Sequence, residues 1–239
     1  MKLSAFVVAI LGCLVLTATA VRVRQEQSKS EEGSQRDMSA LISQLMTAAT
    51  QVQRVELLED KDFVFDFVNP PTLKTTAAGK GGKSVTAHRG IFPALIGAGI
   101  GMTIGFIEPC GMNTPHTHPR ATELFFSVNG TFQTGFIQEN GAREVKNTVE
   151  PGQATVFPMG SIHWQANLGC ESVMFVAGLS NEDPGTSQIA QNFFKIDEEI
   201  LSATLGGESD NEIKEIMGKI PANIALGLKT CQERCFKKE

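Results

Sequence analysis

The residue pattern predicts an all-β domain, a sandwich or closed barrel of short strands, with α-helices at both ends of the chain. Residues 96–107, 124–128, 131–138, 143–149, 154–157 and 172–179 form short alternating or wholly apolar runs, the texture of strands that bury one face or both. Turn signals separate these runs: Asn140-Gly141 suits a hairpin, and Gly111, Gly130, Gly152 and Pro158 with Gly160 mark the others. Apolar residues recur at helical spacing only towards the two ends. No metal motif is repeated along the 239 residues, which favours one domain.

Taken in order, residues 1–20 combine Lys2, an apolar run over 3–16 and small residues at Ala18 and Ala20, the pattern of a cleaved secretory signal. That run is shorter than the roughly 20 apolar residues a membrane span needs, so the mature chain is expected to start near Val21 and to carry no membrane segment. Residues 21–36 are polar and charged, a flexible arm. Over 37–55, Leu41, Ile42, Leu45, Met46, Ala49 and Val52 fall three and four apart, predicting one amphipathic helix over 38–55 that packs on its own barrel or on a neighbouring subunit. The barrel occupies 56–196. Within it, 79–83 reads as a plain loop, because Ala77 stands where a phosphate-cradling loop needs its first glycine. Residues 197–239 form a helical segment: Asp197 caps a helix over 198–205 that Gly206 stops, and Ser209 with Glu212 makes a capping box for a helix to Met217. Pro221 opens a last helix through Cys235, with Ile224, Leu228 and Cys231 on one face.

The net charge is −5, and loss of Lys2 with the signal makes it −6, which gives no support for a nucleic-acid partner. Cys13 leaves with the signal. The remaining Cys110, Cys170, Cys231 and Cys235 suit two disulfides in an oxidising compartment. Cys231 and Cys235 lie one helical turn apart and join only with difficulty, so each is expected to pair with Cys110 or Cys170. Asn129-Gly130-Thr131 is the one N-glycosylation sequon, set in a predicted turn.

Three of the four histidines lie in His116-Thr-His118-Pro-Arg-Ala-Thr-Glu123 and in Gly152-x5-Pro158-x-Gly160-x2-His163-x3-Asn167. A strand turns successive side chains to opposite faces, so His116 and His118 aim at one side. Glu123 returns after a short connection on the neighbouring strand, and His163 arrives from a later one, giving a three-histidine, one-carboxylate metal site. Imidazole with carboxylate suits manganese, iron or zinc. Trp164 faces away from the site and packs; Arg120 reads as an ion-pair or subunit contact, and Asn167 as a turn residue. Phe125, Phe126, Phe132, Phe136, Phe157 and Phe175 read as barrel core and inter-subunit packing.

These paired motifs resemble those of the cupin superfamily, and the His-Pro-Arg-Ala-Thr-Glu string resembles germins, germin-like proteins and spherulins over roughly residues 60–200. The resemblance implies a cupin jelly-roll barrel with flanking N- and C-terminal α-helices, a manganese ion held by His116, His118, Glu123 and His163, and homo-oligomers up to hexamers. It departs from germins in one respect: no cysteine lies between Cys13 and Cys110. Germin activities are oxalate oxidation and superoxide dismutation. The oxidases carry two carboxylate-holding asparagines; one matches Asn113, whereas Thr103 stands at the other position with a single hydroxyl donor. Superoxide dismutation is therefore expected ahead of oxalate oxidation, with superoxide or a small carboxylate as partner. With no tyrosine in the chain, no tyrosyl acid or radical takes part. The alternative is a non-catalytic extracellular protein, wall-associated or free, that binds metal and ligand.

Overall fold

The computed structural model describes residues 37–72 and 76–236, so the leader and arm expected over 1–36 lie outside the described residues. Of the described residues, Asp37 and the first turns of α1 (Met38–Thr47), up to residue 44, belong to one compact unit, and those from residue 45 onward to the other. The Asp37 carboxylate accepts from the amides of Ser39 and Ala40, starting α1.

The single helix expected over 38–55 is two helices. Thr50 is extended, and its hydroxyl accepts from the Gln53 amide while the Gln53 side chain accepts from the Thr50 amide, a capping box that opens α2 (Gln51–Glu56). Arg54 donates to the carbonyls of Leu45 and Ala48, end-of-helix acceptors left without partners by the break. The apolar spacing runs across the interruption, so periodicity alone reads one helix where the Thr-x-x-Gln cap makes two.

The barrel is two facing sheets. One runs in the order β1 (Thr76–Gly79), β2 (Gly82–Ala87), β3 (Gly101–Ile107), β10 (Val173–Leu179), β5 (Glu123–Asn129), β8 (Ala154–Phe157). The other runs β11 (Ser187–Gln188), β4 (Gly111–Thr117), β9 (Ile162–Ala166), β6 (Phe132–Ile137), β7 (Val145–Val149), with β12 (Ala225–Leu226) also on β4. Among the described residues every strand pairing is antiparallel. This is the all-β fold with flanking helices that the sequence predicts.

Strand alternation sorts the phenylalanines. Phe125, Phe132, Phe157 and Phe175 are buried with Ile107, Val149, Val173, Ala177 and Ile224, and the Phe125 and Phe175 rings stack at 4.9 Å. Phe126, one residue along, is 39% exposed on the outer face.

Two sequence expectations are corrected here. Rather than a plain loop, residues 79–83 are the end of the β1–β2 hairpin: Gly79 pairs with Gly82, Lys83 pairs with Ala78, and Lys80 and Gly81 make the turn. Its glycines are needed for close approach, since a Cβ on Gly79 or Gly81 would overlap the carbonyl oxygen of Ile224 or Ala225. Pro221 opens no helix. Residues 225–226 instead pair with β4, Ile224 is buried in the core, and the last helix starts at Lys229. Helical spacing of Ile224, Leu228 and Cys231 is outweighed by the burial and pairing that an extended segment gains. The other caps form as expected: Asp197 accepts from the Glu199 amide at the start of α4 (Glu198–Thr204), and Ser209 with Glu212 boxes α5 (Asp210–Lys219). These follow the short α3 (Ile189–Phe193) and precede α6 (Lys229–Cys235).

Disulfides Cys110–Cys231 and Cys170–Cys235 bind both cysteines of α6 to the β3–β4 and β9–β10 turns. Each α6 cysteine thus pairs with a barrel cysteine, as its one-turn spacing requires. Among the described residues no helix is long and apolar enough to cross a membrane.

Candidate metal centre

His116 on β4 sits directly opposite His163 on β9, and His118 follows just beyond the end of β4. Glu123 begins β5, which belongs to the opposite sheet; the sequence expectation of a neighbouring strand is corrected. The 119–122 connection crosses between the sheets, so the four side chains meet in the barrel interior. All four are buried, and their donor atoms lie within 4.8 Å of one another. Glu123 Oε2 is 2.9 Å from His118 Nε2 and 3.3 Å from His163 Nε2.

Each imidazole is oriented by a backbone carbonyl. The Nδ1–H of His116 donates to Thr114 O at 2.8 Å, that of His118 to Gly185 O at 2.5 Å and that of His163 to Ser161 O at 3.0 Å. A carbonyl only accepts, so Nδ1 carries the proton on all three rings and every Nε2 faces the centre. Phe157 stacks on the His163 ring at 4.5 Å and fixes its plane.

Burial, with His163 close by, lowers the His116 imidazole to about 3, so its Nε2 keeps a lone pair at neutral pH. Burial also acts to lower His118, but its hydrogen bond to Glu123 and the carboxylate's charge outweigh it and raise the group. For Glu123 burial acts upwards, and the hydrogen bond from His118, with His163 beside the carboxylate, overcomes it, holding the carboxyl well below its usual range. Converging lone pairs and a buried carboxylate call for a positive charge among them. A proton on His118 Nε2 supplies it in the bare protein, and a divalent metal would take its place.

Sequence reasoning named Asn113 but missed the two other amides behind this centre, Gln165 and Asn223. Gln165 follows His163 by two on β9 and shares its inward face; its Nε2 donates to Glu123 Oε1 at 3.3 Å. Asn113 donates to Gln165 Oε1 at 2.9 Å and accepts from Asn223 Nδ2 at 2.8 Å, and Asn223 in turn accepts from the Thr114 amide. The signal for Gln165 was strand parity with His163. Asn223 had none, because the extended path of residues 220–228 was read as a helix.

Arg120 forms the expected ion pair, with Asp183 at 3.1 Å. Asn167 is more than a turn residue: fully buried, it donates to the carbonyls of Ile107, Glu108 and Glu171, tying together the two turns that α6 covers. Trp164 lies on the outer face of β9 as expected, against Gly135, where a Cβ would come within 2.7 Å of the indole. Asn129 is exposed at the end of β5 beside the Gly130 turn. Thr103 lines the cavity next to the four-residue centre, its hydroxyl 2.8 Å from that of Thr86.

Residues 69–212 match the family model described as cupin. The chain belongs to the cupin family. This cupin is 42% identical to Spherulin-1B of Physarum polycephalum over 95% of its own length and 90% of that protein, and 44% identical to Spherulin-1A of the same organism over 82% and 78%. It is 38% identical to a germin-like protein of Mesembryanthemum crystallinum over 56% of this chain and 58% of that one. Among solved structures, a recombinant oxalate oxidase in complex with glycolate superposes with a TM-score of 0.61 at 22% identity, covering 69% of this cupin and 83% of the oxidase. The resemblance read from the two histidine motifs therefore holds, for the fold and for the spherulin and germin-like relatives.

Proposed function

We propose that this cupin is an exported, metal-dependent oxidoreductase that binds a manganese-type divalent ion through His116, His118, Glu123 and His163. The observation that carries the reading is the inward convergence of three Nε2 atoms and one carboxylate, each imidazole held by a backbone carbonyl. That donor set fits manganese, iron or zinc, and it contains no thiolate to select a softer metal. When bound, a redox-active ion would supply one-electron chemistry to a small ligand entering the cavity. The chain's own part is to hold the donors rigidly, to keep His116 neutral and to keep Glu123 ionised. Gln165 donates to the Glu123 oxygen that faces away from His118, which sets the basicity of the carboxylate.

Superoxide dismutation is the favoured reaction and oxalate oxidation the weaker one. Asn113 is present, but its amide is already shared with Gln165 and Asn223, and the Thr103 hydroxyl is shared with Thr86. These two residues would therefore offer a dicarboxylate few uncommitted donors. The oxalate oxidase and oxalate decarboxylase neighbours keep a small carboxylate as the second ligand class. Export is supported by the leader-like residues 1–20 and by two disulfides. The exposed Asn129 is a proposed glycosylation site. Homo-oligomerisation is supported by the outer face of the β3–β10–β5–β8 sheet, where Met102, Phe106, Leu124, Phe126, Val128 and Val156 are exposed together.

The test is to assay manganese-loaded protein for both reactions beside Thr103→Asn. Dismutation that disappears on chelation, with oxalate turnover appearing only in the variant, is expected. Dismutation that survives complete metal removal contradicts the reading.

A further inference from the structure

The centre occupies one side of a cavity of about 330 Å³. A water occupies roughly 30 Å³ of liquid, so the cavity has room for on the order of ten waters, far more than superoxide needs. The other side is lined by β1, β2 and β3. Ser84, Thr86 and His88 alternate along β2 and past its end, so one face presents two hydroxyls and then an imidazole to the cavity. Thr103 joins them from β3 and Thr76 from β1. The Thr76 hydroxyl itself is buried and has no hydrogen-bond partner among the described residues.

His88 is the one histidine outside the metal centre. Its Nδ1 accepts from the Gly90 amide at 3.2 Å, which leaves the proton on Nε2, and Nε2 has no partner among the described residues. Burial lowers this imidazole, and the Asp183 carboxylate offsets that only in part, so a neutral N–H donor stands in the cavity wall. The nearby charges are committed to one another: Asp183 pairs with Arg89 and Arg120, and Arg89 also reaches Glu182. Among the described residues lining the cavity there is no lysine or arginine. A second anionic group would therefore meet no free cation there, whereas a chain of hydroxyls would meet hydroxyl, imidazole and amide partners.

The geometry points to a second ligand subsite, formed by Thr76, Ser84, Thr86, Thr103 and His88, that takes the polyhydroxylated portion of a sugar-acid-like ligand whose carboxylate lies at the metal side. This rests on the proposed metal centre for the carboxylate end and extends its ligand class beyond superoxide and short carboxylates. The hydroxyl chain lies along β2, with His88 Nε2–H donating to its far end.

Calorimetric titration of manganese-loaded protein with gluconate, glycolate and adipate tests it. Gluconate is expected to bind at least about tenfold tighter than the other two, since glycolate lacks the chain and adipate lacks the hydroxyls. The gluconate-to-glycolate ratio is expected to fall towards one in Thr86→Val and His88→Leu, and to persist in His88→Gln, which keeps an N–H donor. Gluconate binding no tighter than glycolate, including no binding at all, overturns the proposal, as does a ratio that Thr86→Val and His88→Leu leave unchanged. Chelation separates the two readings. Glycolate binding that survives metal removal counts against the metal centre, and the ratio and its loss in the variants still decide the hydroxyl subsite.

Discussion

The metal side of the cavity and its hydroxyl side are both built on antiparallel strands, but they place their residues by different rules. On the metal side four donors must reach one point, and His116, His118, Glu123 and His163 do so from β4, β5 and β9 with donor atoms within 4.8 Å of one another. On the hydroxyl side Thr76, Ser84, Thr86, His88 and Thr103 need only share a face of β1, β2 and β3. Convergence on one atom demands a fixed spacing along the chain. Lining a wall demands only strand parity, which many sequences satisfy.

The difference can be broken most severely at a ligand. His163→Ala removes one of the four converging ligand atoms, 3.3 Å from the Glu123 carboxylate, so manganese affinity is expected to fall by more than a hundredfold in a metal titration, beyond what loss of a supporting contact costs. An undiminished affinity would show that the ion sits elsewhere. One layer out, Gln165→Leu takes the donor from Glu123 Oε1 and frees Asn113, and a loss of about 10- to 100-fold is expected in the same titration. Affinity equal to that of the parent protein would mean that the amide chain is only structural packing.

A smaller effect sharpens the account of the bare centre. His116 is near 3 in the folded, metal-free protein and near 6.5 when unfolded. Between those values the unfolded chain binds a proton that the folded one refuses, so stability is expected to decline as pH falls from about 6.5 towards 3. Glu123, held below its unfolded value of 4.5, acts in the same direction at the acid end. His118 has the opposite sign, its contribution being complete below 6.5 and lost as pH rises through its raised folded value. Melting temperatures of chelated protein across this range read the balance, and a flat profile below pH 6 would contradict it.

Most strand runs after residue 96, the turns between them and the four side chains that converge were legible in the sequence, because each depends on local alternation or on a short fixed spacing; β1 and β2 were not. What was not legible depends on distant segments meeting. The helix over residues 38–55 divided because Thr50 and Gln53 cap each other, a contact that apolar periodicity does not weigh. The segment after Pro221 was read by its helical spacing, although Gly79 and Gly81, more than 140 residues earlier, make room for Ile224 and Ala225 to run alongside. That close approach brings Asn223 onto Asn113. Glu123 was placed on a neighbouring strand because a four-residue connection suggests a hairpin, whereas here it crosses from one sheet to the other. Gln165 was within reach, since its parity with His163 put it on the inward face.

The central claim is that the buried group of three histidines and one glutamate is a metal site, and metal content tests it most directly. Elemental analysis of protein purified without chelators, beside His116→Ala handled identically, is expected to find about one manganese, iron or zinc per chain in the parent and essentially none in the variant. Folded parent protein that carries no metal and takes up none from solution would contradict the account.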